Sequence, residues 1–148
     1  MTTTPGGVSI ERLAQMIERG DVQGVSDALR ADPSLVSART ASGDNPLHLA
    51  CWYKQVAIIG SLLAFRADVN ARGCYGRTPL HYAVHEGHAI SIPIVGTLLG
   101  FGADPSLRDE NGFTVEDWAK IEMSEGLAGV LEQLRRPRPA AAVTRSDR

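Results

Sequence analysis

Three of the four histidines in this 148-residue chain fall within "HYAVHEGH", running from His81 to His88, together with Glu86. Imidazoles four residues apart share one face of a helix, so His81 and His85 have the spacing to hold zinc, with a nearby carboxylate as general base. The set is incomplete. The helical zinc-protease arrangement needs a glutamate directly after the first histidine, where Tyr82 stands, and no further ligand with a supporting partner accompanies the pair. Cys51 and Cys74 are the candidate nucleophiles, but no base is fixed beside either. Gly100-Phe101-Gly102 resembles a phosphate-binding glycine run, yet it follows a helical pattern and Pro105 stands in place of the last glycine. Glycines that close a helix account for it. No catalytic residue, metal or cofactor is expected, and an enzyme is the least supported class.

Composition sets the frame for those residues. With 43% hydrophobic residues and a formal net charge of −2, the chain reads as one globular domain that needs neither disulfides nor a structural metal. Both cysteines are then free thiols in a reducing compartment. No stretch approaches the ~20 apolar residues of a membrane helix, and the N-terminus lacks a charged segment leading into an apolar run. A cytoplasmic monomer is expected. Residues 1–8 and the basic, Pro- and Ala-rich 135–148 lack apolar periodicity and are expected to be disordered.

What must position the histidines is a repeat. "GDNPLHLACWYKQVAIIGSLLAFRADVNARGCY" starts at Gly43 and "GRTPLHYAVHEGHAISIPIVGTLLGFGADPSLRDEN" at Gly76, 33 residues on; a third start is Gly112, and residues 9–42 follow the same plan with a looser opening. The segments are 9–42, 43–75, 76–111 and 112–134, one domain over 9–134. Each offers a turn, a short helix, a second helix with paired aliphatics and an extended polar exit. Asn45 and Thr78 are placed to cap the first helices, and Pro46 and Pro79 to open them. Leu47, Ala50, Cys51 and then Leu80, Ala83, Val84 form i, i+3, i+4 stripes; "IIGSLL" at 58–63 and "IVGTLL" at 94–99 supply the larger faces. No unit hides both of its faces alone, so the core comes from stacking. The third segment is three residues longer than the period, with the excess near Ala89 to Ser91, where Ser91 can cap the next helix and Pro93 fits its first turn.

"NPLHLA" at 45–50, "TPLHYA" at 78–83, "RADVNA" at 66–71 and "GADPSL" at 102–107 resemble the opening and exit motifs of the ankyrin repeat family, a likeness covering 9–134. Asn45 and Arg66 depart from the family's Thr and Gly, and "TVEDWA" at 114–119 lacks both Pro and His, as a solvent-facing last repeat allows. The resemblance implies an all-α solenoid of about four helix-turn-helix repeats with β-turn fingers. It also implies that His48 and His81 are tied by hydrogen bonds to the capping residue and neighbouring backbone, and that His88 sits in an interhelical turn. Partners in this family are generally met on the concave side. Carried over by position, that surface holds Arg39, Asp44, Arg72, Tyr75, Arg77, Arg108 and Phe113 on the fingers, with Cys74 at a turn tip. Trp52, Tyr53, His85 and Glu86 lie on the first helices, and Phe65 and Phe101 stand before the exits.

Six of the eight aromatic residues lie on that list. Aliphatic residues fill the helix stripes, so aromatics beside arginines read as interface anchors. A non-enzymatic protein-binding module, with an unidentified protein partner, is the leading expectation. The alternative is a nucleic-acid-binding module, because Arg39, Arg72, Arg77 and Arg108 recur beside the aromatics. Net negative charge, with Asp44, Glu86 and Glu110 on the same surface, argues against it.

Overall fold

The computed structural model describes residues 7–84, 91–122 and 127–137. Within these run eight α-helices in consecutive pairs: α1 (Ile10–Arg19) with α2 (Val22–Ala31), α3 (Pro46–Trp52) with α4 (Val56–Ala64), α5 (Pro79–Val84) with α6 (Ile92–Gly100), and α7 (Val115–Glu122) with α8 (Leu127–Arg135). First helices stack in the order α1, α3, α5, α7, while α2 packs on α4 and α6 on α8. The expected all-α repeat solenoid is what forms. His85, Glu86, His88, most of the three-residue insertion and the tail from 138 onward lie outside the described residues.

The stripes explain the stack. Leu47, Ala50 and Cys51 on α3 and Leu80, Ala83 and Val84 on α5 are buried, and so are the paired aliphatics Ile58, Ile59, Leu62 and Leu63 on α4 and Ile94, Val95, Leu98 and Leu99 on α6. Small residues on the first helices let neighbouring repeats approach; large ones on the second helices fill the space between.

Helix starts follow the sequence. The Asn45 side chain accepts from His48 N at 3.0 Å and Pro46 opens α3. Pro93 lies in the first turn of α6 as expected, but Ser91, although at the cap position, makes no capping hydrogen bond. In the last repeat Thr114 Oγ1 accepts from Asp117 N at 3.2 Å while Asp117 Oδ2 accepts from Thr114 N at 3.0 Å. A carboxylate here replaces the histidine of the earlier repeats, closing the same reciprocal cap.

Between helix pairs the chain doubles back in three fingers. Each is closed by its own backbone bonds: Thr40 N to Asp44 O at 2.8 Å, Gly73 N to Arg77 O at 2.7 Å, and Asp109 N to Phe113 O at 2.9 Å. These fingers position the candidate site.

Candidate partner-binding cleft

His48 and His81 are fully buried and do structural work. Thr78 N–H donates to His81 Nδ1 at 3.1 Å, the Thr78 hydroxyl lies 2.8 Å from the same nitrogen, and Nε2 meets Phe113 O in the next finger at 3.0 Å. His48 repeats the arrangement: Asn45 N–H donates to Nδ1 at 3.1 Å, and Nε2 meets Ala71 O and Arg77 O at 2.9 and 3.0 Å. A ring that accepts at Nδ1 and faces carbonyls at Nε2 is neutral with its proton on Nε2. Burial is the main cause holding both rings below their ordinary pKa. Among the described residues no group of three or more His, Cys, Asp or Glu side chains is placed to hold a metal.

The arginines at the finger bases also stitch repeats. Arg39 Nη1 donates to Gly43 O in its own finger and to Arg72 O in the next; Arg72 Nη1 does the same with Gly76 O and, at 2.6 Å, with Arg108 O. Arg108 Nη1 reaches Gly112 O at 2.7 Å and Asp117 at 3.9 Å. All three remain exposed, so they form rungs along the finger edge as well as a charged surface.

Between the first two fingers and the ends of α3 and α5 lies a cleft of about 250 Å³. Trp52, Tyr53, Tyr75 and Leu49 give it apolar walls, Tyr82 lies at its base, and Asp44, Cys74 and Arg77 supply its polar atoms. Trp52 meets the Tyr82 ring edge-on with centroids 5.8 Å apart. Five of the residues expected on the binding surface therefore converge: Asp44, Trp52, Tyr53, Tyr75 and Arg77.

Two of the five are not the free surface groups the sequence suggested. Asp44 is only 8% exposed, because its Oδ1 accepts from Tyr82 Oη at 2.6 Å and Cys74 N at 2.9 Å while Oδ2 accepts from Ser42 Oγ at 3.3 Å. Its carboxylate ties two fingers to α5. Burial, reinforced by the Asp44 bond, raises the Tyr82 phenol well above its ordinary pKa. Arg77 is also largely enclosed, its side chain 14% exposed and its guanidinium between the rings of Tyr75 and Trp118, 5.2 and 4.9 Å from their centroids. Asp109 Oδ2 lies 3.8 Å from Arg77 Nε, too far for a hydrogen bond, and that buried nitrogen has no partner among the described residues.

Tyr75 is the unusual member. It is 60% exposed, and its backbone takes φ 57°, ψ 26°, the left-handed region that a bulky side chain adopts only at a cost. Cys74 beside it is half-buried and lines the cleft. Cys51 is fully buried and its thiol is pushed up to about 12 by that burial.

Of the other predicted site residues that are described, Arg39, Phe65, Arg72, Phe101, Arg108 and Phe113 do not line the cleft. Phe113 packs edge-on against Trp118 at 5.4 Å. Phe65 and Phe101 follow the last residues of α4 and α6; Phe65 is partly buried against the core, whereas Phe101 is 58% exposed. Sequence reasoning passed over Tyr82 and Trp118. Tyr82 aligns with Leu49 in the preceding repeat, and an aromatic in that slot was the available signal.

Residues 13–114 match the family described as "Ankyrin repeats (3 copies)". The chain belongs to the ankyrin repeat family. Its ankyrin stretch is 31% identical over 129 residues to "Ankyrin repeat and SAM domain-containing protein 6" of Rattus norvegicus, covering 82% of this chain and 14% of that protein. It is 40% identical over 73 residues to "ADP-ribosylation factor GTPase-activating protein AGD4" of Arabidopsis thaliana, 49% of this chain and 9% of that one, and 36% identical over 72 residues to "Rabankyrin-5" of Mus musculus, 49% and 6%. The chain thus spans a small part of each relative, and what is shared is the ankyrin repeat. Ankyrin repeats are generally protein–protein interaction modules without catalytic activity of their own. Among the described residues no helix is long and apolar enough to cross a membrane.

Proposed function

We propose that this chain is a non-catalytic protein-binding module, folded over residues 9–134 and acting as a cytoplasmic monomer, whose partner meets the finger face at the cleft around Trp52, Tyr53 and Tyr75. The observation that carries this reading is Tyr75. A tyrosine 60% exposed gains little for the fold, yet it is held in a backbone conformation costing on the order of 1–3 kcal/mol. Strain kept at an exposed aromatic on a cleft rim is what a binding anchor requires, and Trp52 and Tyr53, each 38% exposed, stand beside it.

The test pairs binding with stability. A protein captured from native lysate is titrated against the chain and against Tyr53→Ser and Tyr75→Ser. Each truncation is expected to remove about 2–4 kcal/mol of binding free energy, roughly 30- to 1,000-fold in affinity, with chemical denaturation hardly changed. Unaltered binding with a large fall in denaturation midpoint would make these rings structural and remove the cleft as the site.

A further inference from the structure

The sequence counts seven charged residues on the three fingers, Arg39, Asp44, Arg72, Arg77, Arg108, Asp109 and Glu110, nearly balanced in sign. Folding unbalances them. Asp44 is 8% exposed, with its oxygens taken by Tyr82, Cys74 and Ser42. Asp109 is 6% exposed; its Oδ2 accepts from Trp118 Nε1 at 2.7 Å and its Oδ1 from Asn111 N and Phe113 N at 2.9 and 3.0 Å. Burial alone would raise Asp109, but these bonds outweigh it and hold the carboxyl below its ordinary pKa. Each acid is almost wholly buried with three hydrogen bonds already on its carboxylate, so little of either faces an incoming cation. Arg39, Arg72 and Arg108 remain exposed, and the fingers engage each through Nη1, a fraction of the five donors a guanidinium carries. Glu110 is the one finger acid left exposed. A chain of net charge −2 therefore presents a cationic finger edge.

Arg77 brings that charge into the cleft. Rings on two sides fix its plane, and its Nε faces Asp109 in a long ion pair at 3.8 Å with no hydrogen-bond partner among the described residues. Arg77 lines the cleft beside apolar walls, and a guanidinium so placed suits a carboxylate carried on an apolar stem, its Nη donors taking carboxylate oxygens while Tyr53 and Tyr75 cover the stem. A volume of about 250 Å³ is on the scale of one or two side chains rather than a folded surface.

We propose that the occupant of the cleft is an extended acidic segment of the partner, with an apolar side chain seated among Trp52, Tyr53 and Tyr75, a neighbouring Asp or Glu facing Arg77, and further acids along Arg72 and Arg39. This rests on the protein-binding reading and narrows it to a peptide class. A nucleic acid is the competing polyanion. Exposed Glu110 on the next finger disfavours a continuous phosphate backbone more than a segment with one or two acids.

The full chain carries its own reporter. Cys74 lines the cleft, whereas Cys51 is buried with its thiol near 12, so iodoacetamide labelling at neutral pH reads the cleft. A random-peptide phage library is selected on the full chain, and the recovered peptides, synthesised with fluorescein, are measured by anisotropy. The proposal expects an Asp or Glu within a few residues of an apolar anchor in the enriched set. It also expects slower Cys74 labelling when the peptide is bound, and at least tenfold weaker binding when the peptide's acids become Gln, a comparison that leaves the protein unaltered. Arg77→Gln should match that loss, while Arg77→Lys should recover only part of it. Enriched peptides that protect Cys74 but carry no acid would overturn the acidic-segment assignment and leave the protein-binding reading intact. A twenty-residue oligothymidylate that binds more tightly than every peptide and protects Cys74 would overturn both. Absence of any enriched peptide, with a captured folded protein still dependent on Tyr75, would overturn the extended-segment form alone.

Discussion

Gly73 opens the second finger beside the Asp44 and His48 side chains of the preceding repeat. A Cβ there would lie 2.4 Å from Asp44 Oδ1 and 2.9 Å from His48 Nε2, atoms already fixed by their own hydrogen bonds. Gly73→Ala must displace one of them and is expected to destabilise the chain by about 1–3 kcal/mol in urea denaturation; an unchanged midpoint would mean the finger can move without disturbing the network. Two residues further on, the backbone asks for the opposite change. Tyr75→Gly relieves a left-handed residue, and after the extra entropy that glycine loses on folding, a net gain of roughly 0.5–1 kcal/mol is expected together with loss of partner affinity. A stability loss above 1 kcal/mol would instead make the Tyr75 ring part of the fold. Asp44 shows why such details escape a reading of sequence: its partners Cys74 and Tyr82 are 30 and 38 residues away, so nothing in its own neighbourhood distinguishes it from an exposed finger acid.

Helix ends were the most legible feature, because capping is decided within three or four residues. Asn45 and Thr78 cap as their spacing to His48 and His81 implies, and the aliphatic stripes bury as their period requires. The burial of Arg77 between Tyr75 and Trp118 was not legible, since it needs a ring from the following repeat. Arg66 lies between these cases. It stands where the family's exit motif has glycine, and the structure keeps the glycine geometry: φ is 65°, and Ala67 N reaches back to Leu62 O at 3.0 Å to close α4. In the next repeat the same place is taken by Gly102 at φ 97°. With an exposed side chain at position 66, Arg66→Gly is expected to raise stability by about 0.5–1 kcal/mol. Thermal unfolding of the two chains decides it, and a lower midpoint for the variant would show that the Arg66 side chain supports the turn.

The stack as a whole depends on contacts between repeats, and the two buried histidines make them at successive junctions. His48 joins its capping residue to the second finger, and His81 does the same for the third. Loss of the His81 ring removes its bond to Phe113 O and leaves the buried Thr78 N–H without its acceptor, so His81→Ala is expected to cost about 1–3 kcal/mol. Protonation attacks both junctions together. An unfolded histidine titrates near 6.5, whereas burial holds the native rings lower. Between those values the unfolded chain binds more protons than the native one, so unfolding free energy rises with pH across the window. The stability carried by the neutral rings is complete above pH 6.5 and drains away as pH falls below it, at up to about 1.4 kcal/mol per pH unit for each ring. Asp109, held below its ordinary value, adds nothing to this window; its contribution is lost only at lower pH, below the usual carboxylate range. Urea denaturation at half-unit steps from pH 7.5 to 5.0 should therefore show a flat region, then a fall that begins near 6.5 and occurs in one transition, because repeats joined through shared hydrogen bonds unfold together. A midpoint that stays constant to pH 5.5 would mean that the rings are not held neutral, and the junctions would have to rest on the helix stripes alone.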